Sequence, residues 1–68
     1  MNKKDTIMFI KRRIRTLAEQ ARRQPETASV AYGYIEQARR WAVQHGVAEL
    51  ETATREAKNF IITVGGAA

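Results

Sequence analysis

The sequence predicts an all-α protein, either a helical hairpin or a three-helix bundle. Apolar residues recur at spacings of three and four positions along three segments, and Pro25 and Gly46 lie between those segments. No segment alternates with the period of two that a half-buried β-strand requires. The 68 residues suffice for a single domain, 1–68, which buries a smaller fraction of its surface than a larger domain does. We therefore expect a homodimer, in which a second copy enlarges the core.

The first helix is predicted at about residues 4–24. Asn2 is followed three positions later by Asp5, an approximate capping box in which polar and acidic side chains satisfy free amide groups at a helix start. Pro25 lacks an amide hydrogen and pushes the preceding residue toward extended geometry, so the helix should end just before it. The apolar stripe of this helix consists of Ile7, Ile10, Ile14, Leu17 and Ala21.

The second helix is predicted at about residues 27–45. Gly46 follows it and tolerates the positive φ that a helix C-terminus favours. His45 in the last turn suits the negative end of the helix dipole. The stripe of the second helix consists of Ala31, Tyr34, Ile35, Ala38, Trp41, Ala42 and His45.

The third helix is predicted at about residues 47–64, with Gly65 and Gly66 ending it and residues 65–68 forming a frayed tail. A glycine inside a helix costs only about 1 kcal/mol, so a single bent rod that runs through Gly46 stays open as an alternative. The stripe of the third helix consists of Val47, Leu50, Ala53, Ala57, Phe60, Ile61 and Val64.

The stripes together define the expected core. Small residues on the inner face of the second helix, among them Ala38, allow another helix to approach closely. Tyr34 and Trp41 flank them, and each carries a polar atom that needs a partner if it is buried. We expect the core, or a dimer contact continuous with it, to comprise Ile7, Ile10, Ile14, Leu17, Tyr34, Ala38, Trp41, Leu50, Ala57, Phe60, Ile61 and Val64.

Nearly all of the net charge of +5 belongs to the first helix, because residues 1–24 carry eight Lys and Arg against two acids. At 100° per residue, the cations gather opposite the apolar stripe, with Arg13 on a flank. This basic face is either a binding surface or a solvated face that only keeps the chain soluble. Its members are Lys11, Arg12, Arg15, Arg22 and Arg23.

Several hydrophobic residues lie off the stripes. Met8 and Phe9 project on the same outer half of the first helix as the arginines, while Tyr32, Val43 and Ile62 lie off the stripes of the other two helices. Misplaced hydrophobes in so small a chain favour self-association, and an exposed aromatic beside arginines is typical of a binding hot spot. We predict that a partner binds at Phe9, Arg12, Arg15, Arg23 and Tyr32.

The residue types argue against an enzyme and against a bound metal or cofactor. The chain has no cysteine and one histidine, which excludes a disulfide framework and makes a zinc cluster implausible. His45 and Ser29 have no partner in a catalytic pattern. The acids of the third helix, Glu49, Glu51 and Glu56, are interpreted as complementing the helix dipole and pairing with Arg55 or Lys58.

The apolar run at residues 7–10 is too short for a signal peptide or a membrane span. We therefore expect a cytoplasmic protein.

Two segments, "MFIKRRIRTLAEQARRQP" and "SVAYGYIEQARRWA", carry a resemblance to a known group. With the length and helical layout of most of the chain, they resemble the small anti-quorum-sensing proteins of Mu-like temperate Pseudomonas phages. The resemblance implies a dimeric, non-catalytic inhibitor that acts in the bacterial host cytoplasm. Its implied partners are a LuxR-type transcriptional regulator, kept from its DNA, and the type IV pilus assembly ATPase.

DNA is the main alternative partner. The basic face of the first helix has the charge to neutralise several phosphates, and each such contact adds to the salt dependence of binding. The face lacks Asn or Gln in a base-reading row, which favours backbone contacts only. An anionic membrane surface is a third candidate, weakened because the core needs the apolar stripe.

Overall fold

Within the residues that the computed structural model describes, the chain forms three α-helices and no strand. The backbone is described for residues 2–66 and the side chains for residues 2–62. Helix α1 spans Lys3–Arg23, α2 spans Ala28–His45 and α3 spans Ala48–Gly66, with a short 3₁₀ turn at Pro25–Thr27 between α1 and α2. The all-α prediction is confirmed.

Helix α1 begins and ends where its local chemistry requires. The Asn2 side chain accepts a hydrogen bond from the Asp5 amide at 2.9 Å, which satisfies one of the free donors of the first turn. At the other end, Gln24 leaves the helical conformation immediately before Pro25. The chain then turns through the 3₁₀ segment into α2.

The chain reverses direction at Gly46, so the alternative of one continuous rod is wrong. Gly46 has φ of 66° and ψ of 36°, in the left-handed region that glycine enters without a steric penalty. Its amide donates to carbonyls of the last turn of α2, and the amide of Val47 donates to the Ala42 carbonyl at 2.9 Å. These bonds close the helix as a glycine C-cap does.

The core is narrow and built from aliphatic side chains. The buried hydrophobic residues are Ile14, Leu17, Ala18, Ala21, Ala31, Ile35, Ala38, Ala42, Val47, Leu50 and Ile61. Nearly half of them are alanines, so the helices approach closely but bury little area at each contact. The remaining expected core residues are partly buried against this cluster, namely Ile7, Ile10, Tyr34, Trp41, Ala57 and Phe60. The side chain of Val64, also expected in the core, lies outside the described residues.

Helices α1 and α3 run parallel, with α2 antiparallel to both. Lys11 of α1 pairs with Glu49 of α3, and Arg22 of α1 lies over the Phe60 ring of α3, so both contacts join residues 38 positions apart. All three pairs of helices are in contact, which makes the fold a three-helix bundle and not a two-helix hairpin. The bundle is elongated, with principal extents of 39 × 18 × 14 Å.

Two expectations differ from the structure. Tyr32 was expected to be exposed but is half-buried against the core, because at 100° per residue it lies on the flank of the buried stripe of α2 and not opposite that stripe. Helix α3 extends to Gly66 rather than ending at Val64. Glycine lowers helix propensity but keeps its backbone donor and acceptor, so it does not by itself end a helix.

No helix in the described part of the chain combines the length and the apolar composition of a membrane span.

Candidate partner-binding surface

The most exposed aromatic side chain among the described residues lies on α1, beside an arginine. Phe9 is 58% exposed and Met8 is 45% exposed. Arg12 follows them by three and four positions, which places all three side chains on neighbouring points of the same helix surface. We call Met8, Phe9 and Arg12 the outer patch of α1.

The outer patch unites only part of the predicted partner-binding set. Phe9 and Arg12 lie together, whereas Arg23 is exposed eleven positions further along the helix, about 16 Å away at 1.5 Å per residue. Tyr32 lies on α2 and packs against the core. Arg15 lies at the seam between α1 and α3. The structure therefore concentrates the candidate site in the first half of α1.

The predicted basic face is divided by contacts with α3. Lys11 donates to a Glu49 carboxylate oxygen at 3.1 Å and is only partly exposed. The guanidinium of Arg22 lies 5.4 Å from the centre of the Phe60 ring, a cation–π distance. Glu49 was expected to pair within α3, but it pairs with α1 because the parallel register brings the two helix surfaces together. Lys11 and Arg22 thus contribute to the contact between α1 and α3.

The remaining cations of α1 have different surroundings. Arg15 approaches Glu19 on the next turn, with 3.7 Å between the nearest charged atoms. Arg12, Arg13 and Arg23 are exposed and form no ion pair among the described residues. Arg12 is three positions after Phe9 and four after Met8, so it neighbours both members of the exposed hydrophobic pair.

A groove follows the seam between α1 and α3. Its volume is about 550 Å³. Its floor is apolar and its rims carry two cations and two carboxylates. The lining residues are Lys11, Ile14, Arg15, Ala18, Glu19, Ala53, Glu56, Ala57 and Phe60. Ile14 and Ala18 are buried at its floor.

Arg39 and Arg40 of α2 both pair with one carboxylate, that of Glu36. Glu36 accepts two hydrogen bonds from Arg39, at 2.6 and 3.3 Å, and lies 3.7 Å from Arg40. The hydrogen bond from Arg39 lowers the pKa of Glu36 below its ordinary value, with smaller contributions from the charges of Arg39, Arg40 and Lys58. The same pair raises the pKa of Arg39. This cluster is thus charge-compensated on its own helix.

The far end of α2 is joined to the start of α1. The rings of Trp41 and His45 stack with centres 4.3 Å apart, and His45 Nδ1 lies 3.0 Å from the Trp41 carbonyl oxygen. The Lys3 ammonium donates to the His45 carbonyl at 3.0 Å, at the negative end of α2. The Lys3 hydrogen bond therefore joins the first turn of α1 to the last turn of α2.

The sequence did not lead us to predict the burial of Thr54 or the exposure of Val30. Thr54 is 1% exposed, and its hydroxyl donates to the Glu51 carbonyl at 2.8 Å. Its position four residues after Leu50 and three before Ala57 was the available signal, since it completes the inward stripe of α3. Val30 on α2 is 66% exposed, more than Met8 or Phe9 of the outer patch.

Residues 2–62 place no three His, Cys, Asp or Glu side chains close enough together to hold a metal ion.

No protein-family model matches the sequence, and neither the curated proteins nor the solved structures contain a significant match to it.

Proposed function

We propose that the protein is a non-catalytic inhibitor that binds a host protein through the outer patch of α1 and occludes a surface of it. The observation that carries the proposal is the 58% exposure of Phe9 next to Arg12, which is exposed and forms no ion pair among the described residues. Aromatic and arginine side chains dominate binding hot spots, because together they supply apolar area and directed charge. A folded helix presents both on a backbone that is already ordered, so binding costs less entropy than it would from a flexible segment.

The resemblance to phage anti-quorum-sensing proteins supplies the candidate targets. These are a LuxR-type quorum-sensing activator and the type IV pilus assembly ATPase, both in the cytoplasm of the bacterial host. The inhibitor is proposed to act as a homodimer, which presents the outer patch twice. Two linked contacts raise the overall affinity above that of either alone when the target is itself oligomeric.

The division of the basic face favours a protein partner over DNA. Lys11 is neutralised by Glu49 and Arg15 lies beside Glu19, so the positive charge that faces outward is smaller than the sequence suggests. Arg12 and Arg13 are adjacent in sequence and therefore point about 100° apart around the helix. A continuous row of cations along one phosphate backbone is not formed by these side chains.

The test is direct binding between purified proteins. The chain is titrated against a purified LuxR-type regulator, a purified type IV pilus ATPase and duplex DNA, at low and at moderate salt. Phe9→Ala and Arg12→Glu alter the outer patch. Arg55→Glu makes the same charge change at an exposed position on the α2 side of α3, and Val30→Ala removes an exposed hydrophobe from α2, so these two variants are the matched controls.

We expect one of the two proteins to bind, and each outer-patch variant to weaken binding at least about tenfold while both controls bind normally. Binding to neither protein would overturn the proposed inhibitor. Retention on DNA that falls steeply with salt, without protein binding, would replace it with the DNA-binding alternative.

A further inference from the structure

We infer that the side of the bundle formed by α1 and α2 binds single-stranded nucleic acid, with a base stacked on the His45 ring and phosphates held by Lys3 and Arg13. This activity goes beyond the proposed function and uses none of the residues of the outer patch. The residues that form this surface, which we call the α1–α2 face, are Lys3, Arg13, Gln20, Tyr34, Gln37, Trp41 and His45.

The α1–α2 face carries cations, amides and aromatic rings but no carboxylate. At 100° per residue, Arg13 lies about 160° around α1 from Lys11, which pairs with α3, so Arg13 is on the α2 side of α1. Tyr34 and Trp41 lie on the corresponding flank of α2, away from Arg39, which lines a groove with α3. The seven acids of the chain lie on other sides of the bundle or at its ends, namely Asp5, Glu19, Glu26, Glu36, Glu49, Glu51 and Glu56. A polyanion therefore meets no like charge on this face.

The rings of Trp41 and His45 supply a stacking surface at one end of the α1–α2 face. Their centres lie 4.3 Å apart with 18° between the ring planes, so Trp41 covers one face of the imidazole. His45 is nevertheless exposed, and the uncovered face of its ring is therefore open to solvent. A nucleobase that stacks there continues a stack that the protein has already formed. Such stacking accepts any base, because every base has a π-face.

Two cations are placed to hold phosphates along the face. The Lys3 ammonium donates one hydrogen to the His45 carbonyl at 3.0 Å, which leaves its other two hydrogens for an anion beside the open ring. Arg13 is exposed and forms no ion pair among the described residues. It lies ten positions further along α1, about 15 Å from Lys3 at 1.5 Å per residue. The two cations therefore contact phosphates of different nucleotides.

Side-chain amides and the polar atoms of two aromatic residues complete the face. Gln20 of α1 and Gln37 of α2 are exposed, and an amide both donates to and accepts from the edge of a base. Among the described side chains, the Tyr34 hydroxyl and the Trp41 indole N–H make no hydrogen bond, and neither atom is fully buried. The face thus offers donors to a strand in addition to its two cations.

A single strand fits this face better than a duplex does. Stacking on His45 requires a base with a free face, and a duplex keeps its bases stacked and paired with one another. A flexible strand also bends to reach Lys3 and Arg13, which do not form a row. An acidic peptide would meet the same two cations, but it has no base for the open ring.

The test is fluorescence anisotropy of a labelled oligouridylate of about ten nucleotides, titrated with the purified full chain at several salt concentrations. His45→Ala removes the open ring and keeps the backbone carbonyl. Arg13→Glu and Gln37→Glu place negative charge on the α1–α2 face. Their matched controls are Arg55→Glu and Thr52→Glu, which make the same charge changes on the α2 side of α3. Circular dichroism checks the helicity of every variant.

We expect the oligouridylate to bind with a dissociation constant below about 10⁻⁴ M at low salt. His45→Ala should raise this constant about fivefold or more over the wild type, and each charge variant about fivefold or more over its matched control. The logarithm of the binding constant should fall with the logarithm of salt concentration with a slope of about −1.4, because each of two phosphate contacts contributes about −0.7. Duplex RNA and poly-L-glutamate should compete about tenfold less well than the unlabelled strand.

Binding of the duplex or of poly-L-glutamate as tight as that of the strand would overturn the inference, because charge alone would then explain it. A salt slope of about −3 or steeper would do the same, since it would place the strand on the basic face of α1. So would the absence of binding at low salt, or equal binding by His45→Ala. No host protein is present, and Arg12→Glu of the outer patch should bind the strand as the Arg55→Glu control does. The result is therefore separable from that of target binding.

Discussion

The two exposed sides of α1 are built from the same residue types but have different surroundings. Toward α3, Lys11 pairs with Glu49 and Arg22 covers the Phe60 ring, so the cations there are part of the packing of the bundle. On the outer side, Phe9 is 58% exposed, and Arg12 is exposed without an ion pair among the described residues. The comparison shows that the arginines and lysines of one helix need not form a single binding surface. The cations on the flank that faces a neighbouring helix stabilise packing, and those on the other side stay exposed to solvent.

The largest expected effect comes from comparing a buried and an exposed hydrophobe on α1. Ile14 is 2% exposed at the floor of the groove and Phe9 is 58% exposed on the outer patch. Ile14→Ala should lower the free energy of unfolding by about 2–5 kcal/mol, because it removes buried area and leaves a cavity. Phe9→Ala should change it by no more than about 0.5 kcal/mol, as a surface substitution does. Urea denaturation followed by circular dichroism measures both.

This pair of variants tests whether Phe9 is a surface residue that the fold does not need. If Phe9→Ala destabilises the fold as much as Ile14→Ala does, the Phe9 side chain is structural and the outer patch loses its anchor. A dimer that buries Phe9 would show the same loss at high protein concentration only, so the denaturation is repeated at two concentrations.

A smaller effect separates the cations of the two sides. Lys11→Ala should lower the free energy of unfolding by up to about 1 kcal/mol at low salt, because it breaks an ion pair between partly exposed side chains. Arg12→Ala should leave stability unchanged, since Arg12 has no ion pair among the described residues. Added salt should shrink the Lys11 effect, because it screens exposed charges.

The control for this experiment is Glu49→Gln, which should lower stability about as much as Lys11→Ala and should add nothing to it in the double variant. Equal stability of Lys11→Ala and Arg12→Ala would show that contact with α3 does not distinguish the two cations.

The helices themselves could be predicted because each depends on local signals. The spacing of apolar residues, the Asn2 cap and Pro25 place the three helices within a few residues of their bounds in the structure. The break at Gly46 could not be decided in advance. A glycine inside a helix costs only about 1 kcal/mol, and the choice of a left-handed conformation depends on α3 packing back onto the bundle.

The candidate site was only partly predictable, for a related reason. The outward direction of Phe9 and Arg12 could be predicted from a helical wheel, because it depends only on the sequence of α1. The pairing of Lys11 with Glu49 depends on the register between two helices that are far apart in sequence. Thr54 was missed because a buried hydroxyl that donates within its own helix behaves as a small apolar group, which hydropathy does not express.

The smallest expected effect extends the comparison to α2, where Glu36 pairs with Arg39 and Arg40, whereas Arg12 of α1 forms no ion pair among the described residues. Arg39 lowers the pKa of Glu36 in the folded state, so this carboxylate contributes stability above its ordinary pKa of 4.5. That contribution is lost as the pH falls through the lowered pKa of the folded state. The difference in free energy of unfolding between wild type and Glu36→Gln should therefore shrink on acidification below 4.5.

The matched control is Glu26→Gln, which alters an exposed acid without an ion pair among the described residues. A pH-independent difference for Glu36→Gln would mean that the ion pairs of Glu36 on α2 contribute nothing to stability, and that the cations of α2 do not differ in this respect from Arg12 of the outer patch.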